Sequence, residues 1–149
     1  MNYAHLYQWI GFAWLAAGVA PALLRGGWPE RSSAAAMIVA WFGSGLVQNT
    51  SQFFGPQVGI TLIDLMLLTL LVTIALVSDR WWPMWAAAFH GLGVMLHLAV
   101  LLDEKVMGRA YFIAGTVFSF LTVLALFLGS IQRRRVSALS PPDAASPLT

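Results

Sequence analysis

Charge interrupts this chain at a few widely spaced points, and the residues between those points are almost all apolar. Runs free of Asp, Glu, Lys and Arg cover residues 1–24, 32–63, 65–78, 81–102 and 110–132. A helix rises 1.5 Å per residue, so about 20 apolar residues cross the ~30 Å hydrocarbon layer of a bilayer. The 32–63 run is too long for one span and the 65–78 run too short. The polar cluster "QNTSQFFGPQ" at 48–57 resolves both, because its Asn, Thr, Ser, Gly and Pro supply a loop with polar caps. Asp64 then falls inside the span that follows. The pattern predicts five transmembrane helices, over about 4–24, 32–50, 58–77, 82–102 and 109–131.

The expected fold is therefore an all-α integral membrane helical bundle over residues 1–136. In a four-span alternative, 32–47 is a half-helix or surface helix, and either the first span or the last three turn the other way up. The final stretch "SALSPPDAASPLT", 137–149, holds a single charge among Ser, Pro and Ala and reads as a disordered tail.

Punctuation between spans fixes neighbours. In "RGGWPER", 25–31, Gly26 and Gly27 leave one helix and Pro29 opens the next. In "SDRWWP", 78–83, Ser78 or Asp79 is placed to cap the fourth span, with Pro83 in its first turn. Pro21 is expected to kink or end the first span. Small residues recur at four-residue spacing, as in Ala36 and Ala40 or Ala87 and Gly91, which suits close helix contacts in lipid.

Composition agrees: 59% of residues are hydrophobic and 9% charged, against about 25% charged in soluble domains. Short loops rich in Lys and Arg stay on the cytoplasmic side. With the N-terminus outside, Arg25, Arg31, Arg80, Arg133, Arg134 and Arg135 all fall inside, against Lys105 and Arg109 outside. The orientation is thus N-out, C-in. Trp28, Trp81, Trp82 and Trp85 then form a belt at the cytoplasmic interface. Tyr3, Tyr7, Trp9, Phe53, Phe54, Tyr111 and Phe112 form one at the outer interface. Trp14 and Trp41 lie deeper and are expected between helices.

"MNYAH" lacks the positive n-region of a secretory signal, so the first span is expected to remain. The absence of cysteine excludes disulfides, thiolate metal sites and cysteine nucleophiles. The pI near 9.5 reflects the cytoplasmic flanks, so no nucleic-acid partner is expected. No P-loop, Rossmann glycine pattern, HExxH or GxSxG occurs. The spans leave too little chain for a soluble catalytic domain, and the protein is not expected to be an enzyme.

Candidate chemistry rests on ionisable groups within the spans, because each costs about 2.5–3.5 kcal/mol to insert at mid-bilayer. These are Asp64, His90 and His97. Asp64 lies ~9 Å into the third span from its outer end and His97 ~7.5 Å into the fourth from its own. The tight "SDRWWP" turn makes those spans neighbours, so an Asp64–His97 pair would satisfy both groups. The pair is an interhelical clamp or a protonatable pair in a transport pathway. The clamp is favoured, because Thr69 and Thr73 stand about 140° and 180° around the helix from Asp64 and give no continuous polar stripe.

His90 precedes His97 by about two turns on nearly the same face, ~10 Å away, too far to share one metal ion with it. It reads best as a core histidine bonded to a carbonyl or hydroxyl. A bis-histidine haem would need a second span, and His5 is the one further histidine, so at most a His5–His97 site could form. Neither a metal nor another cofactor is expected. The loop "QNTSQFFGPQVG" reads as an interfacial anchor, or else as a vestibule for a small uncharged solute.

At "RGGWPER" and "SDRWWPMWAAAFHGLGVMLHLAVLLD" the chain resembles a group of small multi-span inner-membrane proteins of alphaproteobacteria, over about 25–129. The resemblance implies a bacterial inner membrane and assigns no catalytic or binding residue.

Three functions are compatible with this pattern. A non-catalytic accessory or assembly subunit, or scaffold, with a membrane-protein partner or a second copy best explains the missing motifs and short loops. A small proton-coupled transporter or channel built on Asp64 and His97 comes second, and a haem-bearing redox subunit third.

Overall fold

The computed structural model describes residues 3–48, 57–102 and 108–139, and the side chains within 9–48, 57–102 and 110–132. Five helices follow one another: α1 (Tyr3–Arg25), α2 (Trp28–Val47), α3 (Val58–Val77), α4 (Trp82–Leu102) and α5 (Gly108–Leu139). By length and composition α3, α4 and the Ala110–Gln132 part of α5 can each cross a membrane.

α3 and α4 have the bounds their apolar runs predict, since polar residues and Pro83 bracket both. The other helices depart from expectation for local reasons. α2 starts at Trp28, four residues before the predicted span, because Pro29 suits its first turn and Glu30 Oε2 accepts the Gly27 N–H at 2.8 Å. It ends at Val47, where Gln48 turns extended. α1 neither stops at Pro21 nor breaks there, but continues to Arg25.

α5 runs on past its arginines to Leu139, so 137–139, expected in the tail, are helical. Charge ends an apolar span without ending a helix, since Arg, Ala and Leu are good helix formers. Residues 140–149 lie outside the described residues. Ser78 does not cap α4: its N–H closes α3 on Ile74 O at 3.0 Å and its buried hydroxyl has no partner among the described residues. Trp81 immediately precedes α4 instead.

Each helix packs on its neighbours in sequence, α1 also packs on α5, and α2 touches α5 across the centre. The five helices thus close into a ring. Near the end carrying Arg25, Arg31 and Arg80, here the arginine end, the interior is filled by Val19, Ala22, Ala34, Leu71, Trp82, Ala86 and Leu126. Close approaches make this possible. A Cβ on Gly18 would stand 2.3 Å from Val123 Cγ1, and one on Gly129 would stand 2.3 Å from Cγ and Cδ1 of Trp82.

Trp82 therefore is not part of an interfacial belt. It is 1% exposed, whereas Trp28, Trp81 and Trp85 are exposed. Trp14 and Trp41 pack between helices, with Trp14 Nε1 donating to Phe120 O at 3.2 Å. Outer faces are apolar too, with Leu24, Leu46, Leu76 and Leu102 exposed, the pattern of helices in lipid. Of the small-residue pairs, Ala40 is buried and Gly91 lies near Leu68.

An intramembrane polar cluster as candidate functional site

Toward the opposite end the interior turns polar. Asp64 projects from the second turn of α3, and the short 78–81 connection folds α4 back beside it. That hairpin brings His97 to Asp64, with Nε2 2.9 Å from Oδ2. His97 Nδ1 lies 2.7 Å from the Tyr111 hydroxyl of α5, whose ring meets the imidazole edge-on at 77°. Two turns below, His90 Nε2 is 3.0 Å from the Asp64 backbone carbonyl and 3.8 Å from Oδ1. The cluster thus ties three helices together, and its centre is one carboxylate.

Protonation fixes the sense of each bond. With Asp64 ionised, His97 Nε2–H donates to it, and in the neutral ring Nδ1 accepts from the Tyr111 O–H. A proton arriving on Nδ1 reverses the second bond, since Nδ1–H then donates to the phenolic oxygen. The chain Asp64–His97–Tyr111 accommodates an extra proton by turning one hydroxyl. Because His90 Nε2 lies closest to a carbonyl, it donates there, and its Nδ1 is then without a proton in the neutral ring.

This arrangement includes the predicted Asp64–His97 contact, and His90 takes the carbonyl bond expected of a core histidine. The aromatic pattern of the sequence places Tyr111 in an interfacial belt and does not reveal its bond to His97. Its position in the first turn of α5 brings it to the level of His97 only once the ring closes. The side chain of His5 lies outside the described residues. Both ring nitrogens of His97 are engaged, so a His5–His97 haem would require one of these bonds to break. Among the described residues no three His, Asp or Glu side chains are grouped to hold a metal ion. Thr69 and Thr73 bond back to Leu65 O and Thr69 O, each at 2.8 Å, on the exposed side of α3.

Beside Asp64 and His90 lies a partly open cavity of about 450 Å³ to which all five helices contribute. Phe12, Met37, Trp41, Ser44, Gln48, Ser119 and Thr122 line it with them. It runs from the α2 end at Gln48 inward to Leu67, where the packed core begins. Antiparallel register sets its geometry: Gly59 abuts Val47 and Gly43 abuts Ile63, so Trp41 and Ser44 stand near the level of Asp64.

A second buried acid was also missed. Glu30 is fully buried in the arginine half, where Oε1 accepts Trp82 Nε1–H at 3.1 Å and Oε2 accepts the Gly27 N–H. Sequence placed it in a loop flank. The signal available was Glu30 three residues after Gly27 and one after Pro29, a helix-opening pattern.

Fold and cluster define an all-helical protein with three helices able to cross a membrane and a polar centre between them. Comparison with protein-family models, curated proteins and solved structures returned no match.

Proposed function

We propose that the protein is a small proton-coupled transporter of the bacterial inner membrane. All five helices span the bilayer in this reading, with the N-terminus outside, the C-terminus inside and Asp64 with His97 as the protonatable pair. The observation that carries it is that the paired Asp64 carboxylate lines a cavity of solute size instead of lying within packed core. Such a placement lets one group respond to both a proton and a solute. A packed floor beneath the cavity separates it from the arginine end, as a pathway open to one side at a time requires. α2 carries Glu30 and Arg31 in its first turn, but Glu30 faces Trp82 and not lipid.

A second reading keeps the protein as a non-catalytic accessory subunit, with the Asp64–His97–Tyr111 chain as a clamp on α3, α4 and α5. The joining of three helices by one polar chain favours it. Charge movement across supported proteoliposomes separates the two. Under an imposed pH step, a panel of small cationic, neutral and anionic solutes is applied to wild type and Asp64→Asn. Transport predicts a solute-dependent current that the variant loses while it stays monodisperse. A clamp predicts no current from any solute and a lowered melting temperature in the variant.

A further inference from the structure

Resting on that transport reading, we infer that the cavity takes a small monovalent organic cation with an apolar body, in direct competition with the proton. Four observations converge. Asp64 uses Oδ2 for His97, whereas Oδ1 has His90 Nε2 no nearer than 3.8 Å and accepts no hydrogen bond among the described residues. A carboxylate oxygen that accepts no hydrogen bond, on a residue that lines a cavity, is open to a charged donor and is a counter-ion for an ammonium. No Lys or Arg lines the cavity, so with neutral histidines its one formal charge is negative.

Trp41 and Phe12 both line the cavity, with ring centroids 5.8 Å apart, and Trp41 stands near the level of Asp64. Aromatic faces attract cations, most strongly where water is excluded. Finally, Leu15, Met37, Ile60, Leu67 and Val123 make most of the remaining wall apolar. They suit the hydrocarbon part of an amine better than a sugar or an amino acid, each of which would need more polar partners than Ser44, Gln48, Ser119 and Thr122 supply.

Competition follows from charge. A proton taken up by the Asp64–His97 pair cancels the negative charge that an ammonium needs, so the site holds one or the other. Cation affinity must then rise with pH while the pair is protonated, by about tenfold per unit for a single competing proton, and level off once it is deprotonated.

Benzyltrimethylammonium tests this well, because its charge does not titrate and any pH dependence belongs to the protein. Calorimetric titrations of the full chain in phosphatidylcholine nanodiscs would compare it with benzyl alcohol and benzenesulfonate, which share the ring but are neutral and anionic. The expected result is binding of the ammonium alone, strengthening with pH to a plateau. Asp64→Asn is expected to weaken it at least about tenfold and abolish the pH dependence, as loss of a charge-assisted contact does. Trp41→Leu is expected to weaken it about 2- to 30-fold and keep that dependence.

The inference is overturned if the alcohol or sulfonate binds as tightly as the ammonium, if no ammonium binding is detected, or if ammonium affinity ignores pH. The comparison of three ligands on wild type decides the matter even if Asp64→Asn fails to fold. The two proposals also fail separately. A proton-coupled current carried by a neutral or anionic solute would leave transport standing and remove the cation, whereas silence from every solute removes transport itself.

Discussion

Replacing Gly129 by alanine adds one methyl group at a very close side-chain approach in the packed half of the bundle. The new Cβ would stand 2.3 Å from both Cγ and Cδ1 of Trp82 and 2.8 Å from Nε1. Carbon atoms in contact prefer about 3.5–4.0 Å, so the indole must retreat by more than about 1 Å. It has no room, since Trp82 is 1% exposed and its Nε1–H is held by Glu30 Oε1 at 3.1 Å. Overpacking of this kind costs about 1–3 kcal/mol. Losing the bond to a buried carboxylate adds about 0.6–1.7 kcal/mol on the scale measured within membranes, or more on the scale for charged partners in water. The expected destabilisation is therefore about 2–5 kcal/mol. Thermal denaturation in mild detergent, followed by size-exclusion chromatography, measures it. A cycle with Trp82→Leu isolates the cause: against the smaller side chain, Gly129→Ala should cost less than about 1 kcal/mol. An unchanged melting temperature for Gly129→Ala, or an equal loss in both backgrounds, would refute the packing argument.

Other consequences can be checked with simple variants. Tyr111→Phe removes the hydroxyl 2.7 Å from His97 Nδ1 and should cost about 0.6–1.7 kcal/mol in the same melt. Gly18→Ala drives a methyl into Val123 and should destabilise by about 1–3 kcal/mol, a loss that Val123→Ala relieves. Five spans with the N-terminus outside predict active alkaline phosphatase on an N-terminal fusion and fluorescent green protein on a C-terminal one. Both reporters on one side would require an even number of crossings.

How much of this was readable beforehand differs from element to element. α3 and α4 were legible to the residue, because each apolar run ends in residues that also end helices. α2 and α5 were not, since Glu30 and Arg133–Arg135 mark where an apolar stretch stops, and a helix needs no such limit. The Asp64–His97 contact was legible because equal depth across a short turn leaves little freedom. Tyr111 and the Glu30–Trp82 bond were not. Both depend on which face of a helix turns inward after the ring closes, and these weakly amphipathic sequences do not encode that face locally. The cavity was equally hidden, because it arises from the side chains of all five helices together.

Infrared difference spectroscopy of the lipid-reconstituted protein across a pH step tests the central claim most directly, because it reads the protons on Asp64 and His97 themselves. The account predicts the carbonyl stretch of a buried carboxylic acid at low pH, missing in Asp64→Asn and suppressed when benzyltrimethylammonium is present. It also predicts imidazole bands that change in the same step and vanish in His97→Asn. A spectrum with no Asp64-dependent carboxyl band anywhere the protein stays folded, together with a lowered melting temperature in Asp64→Asn, would make the pair a fixed clamp and contradict the account.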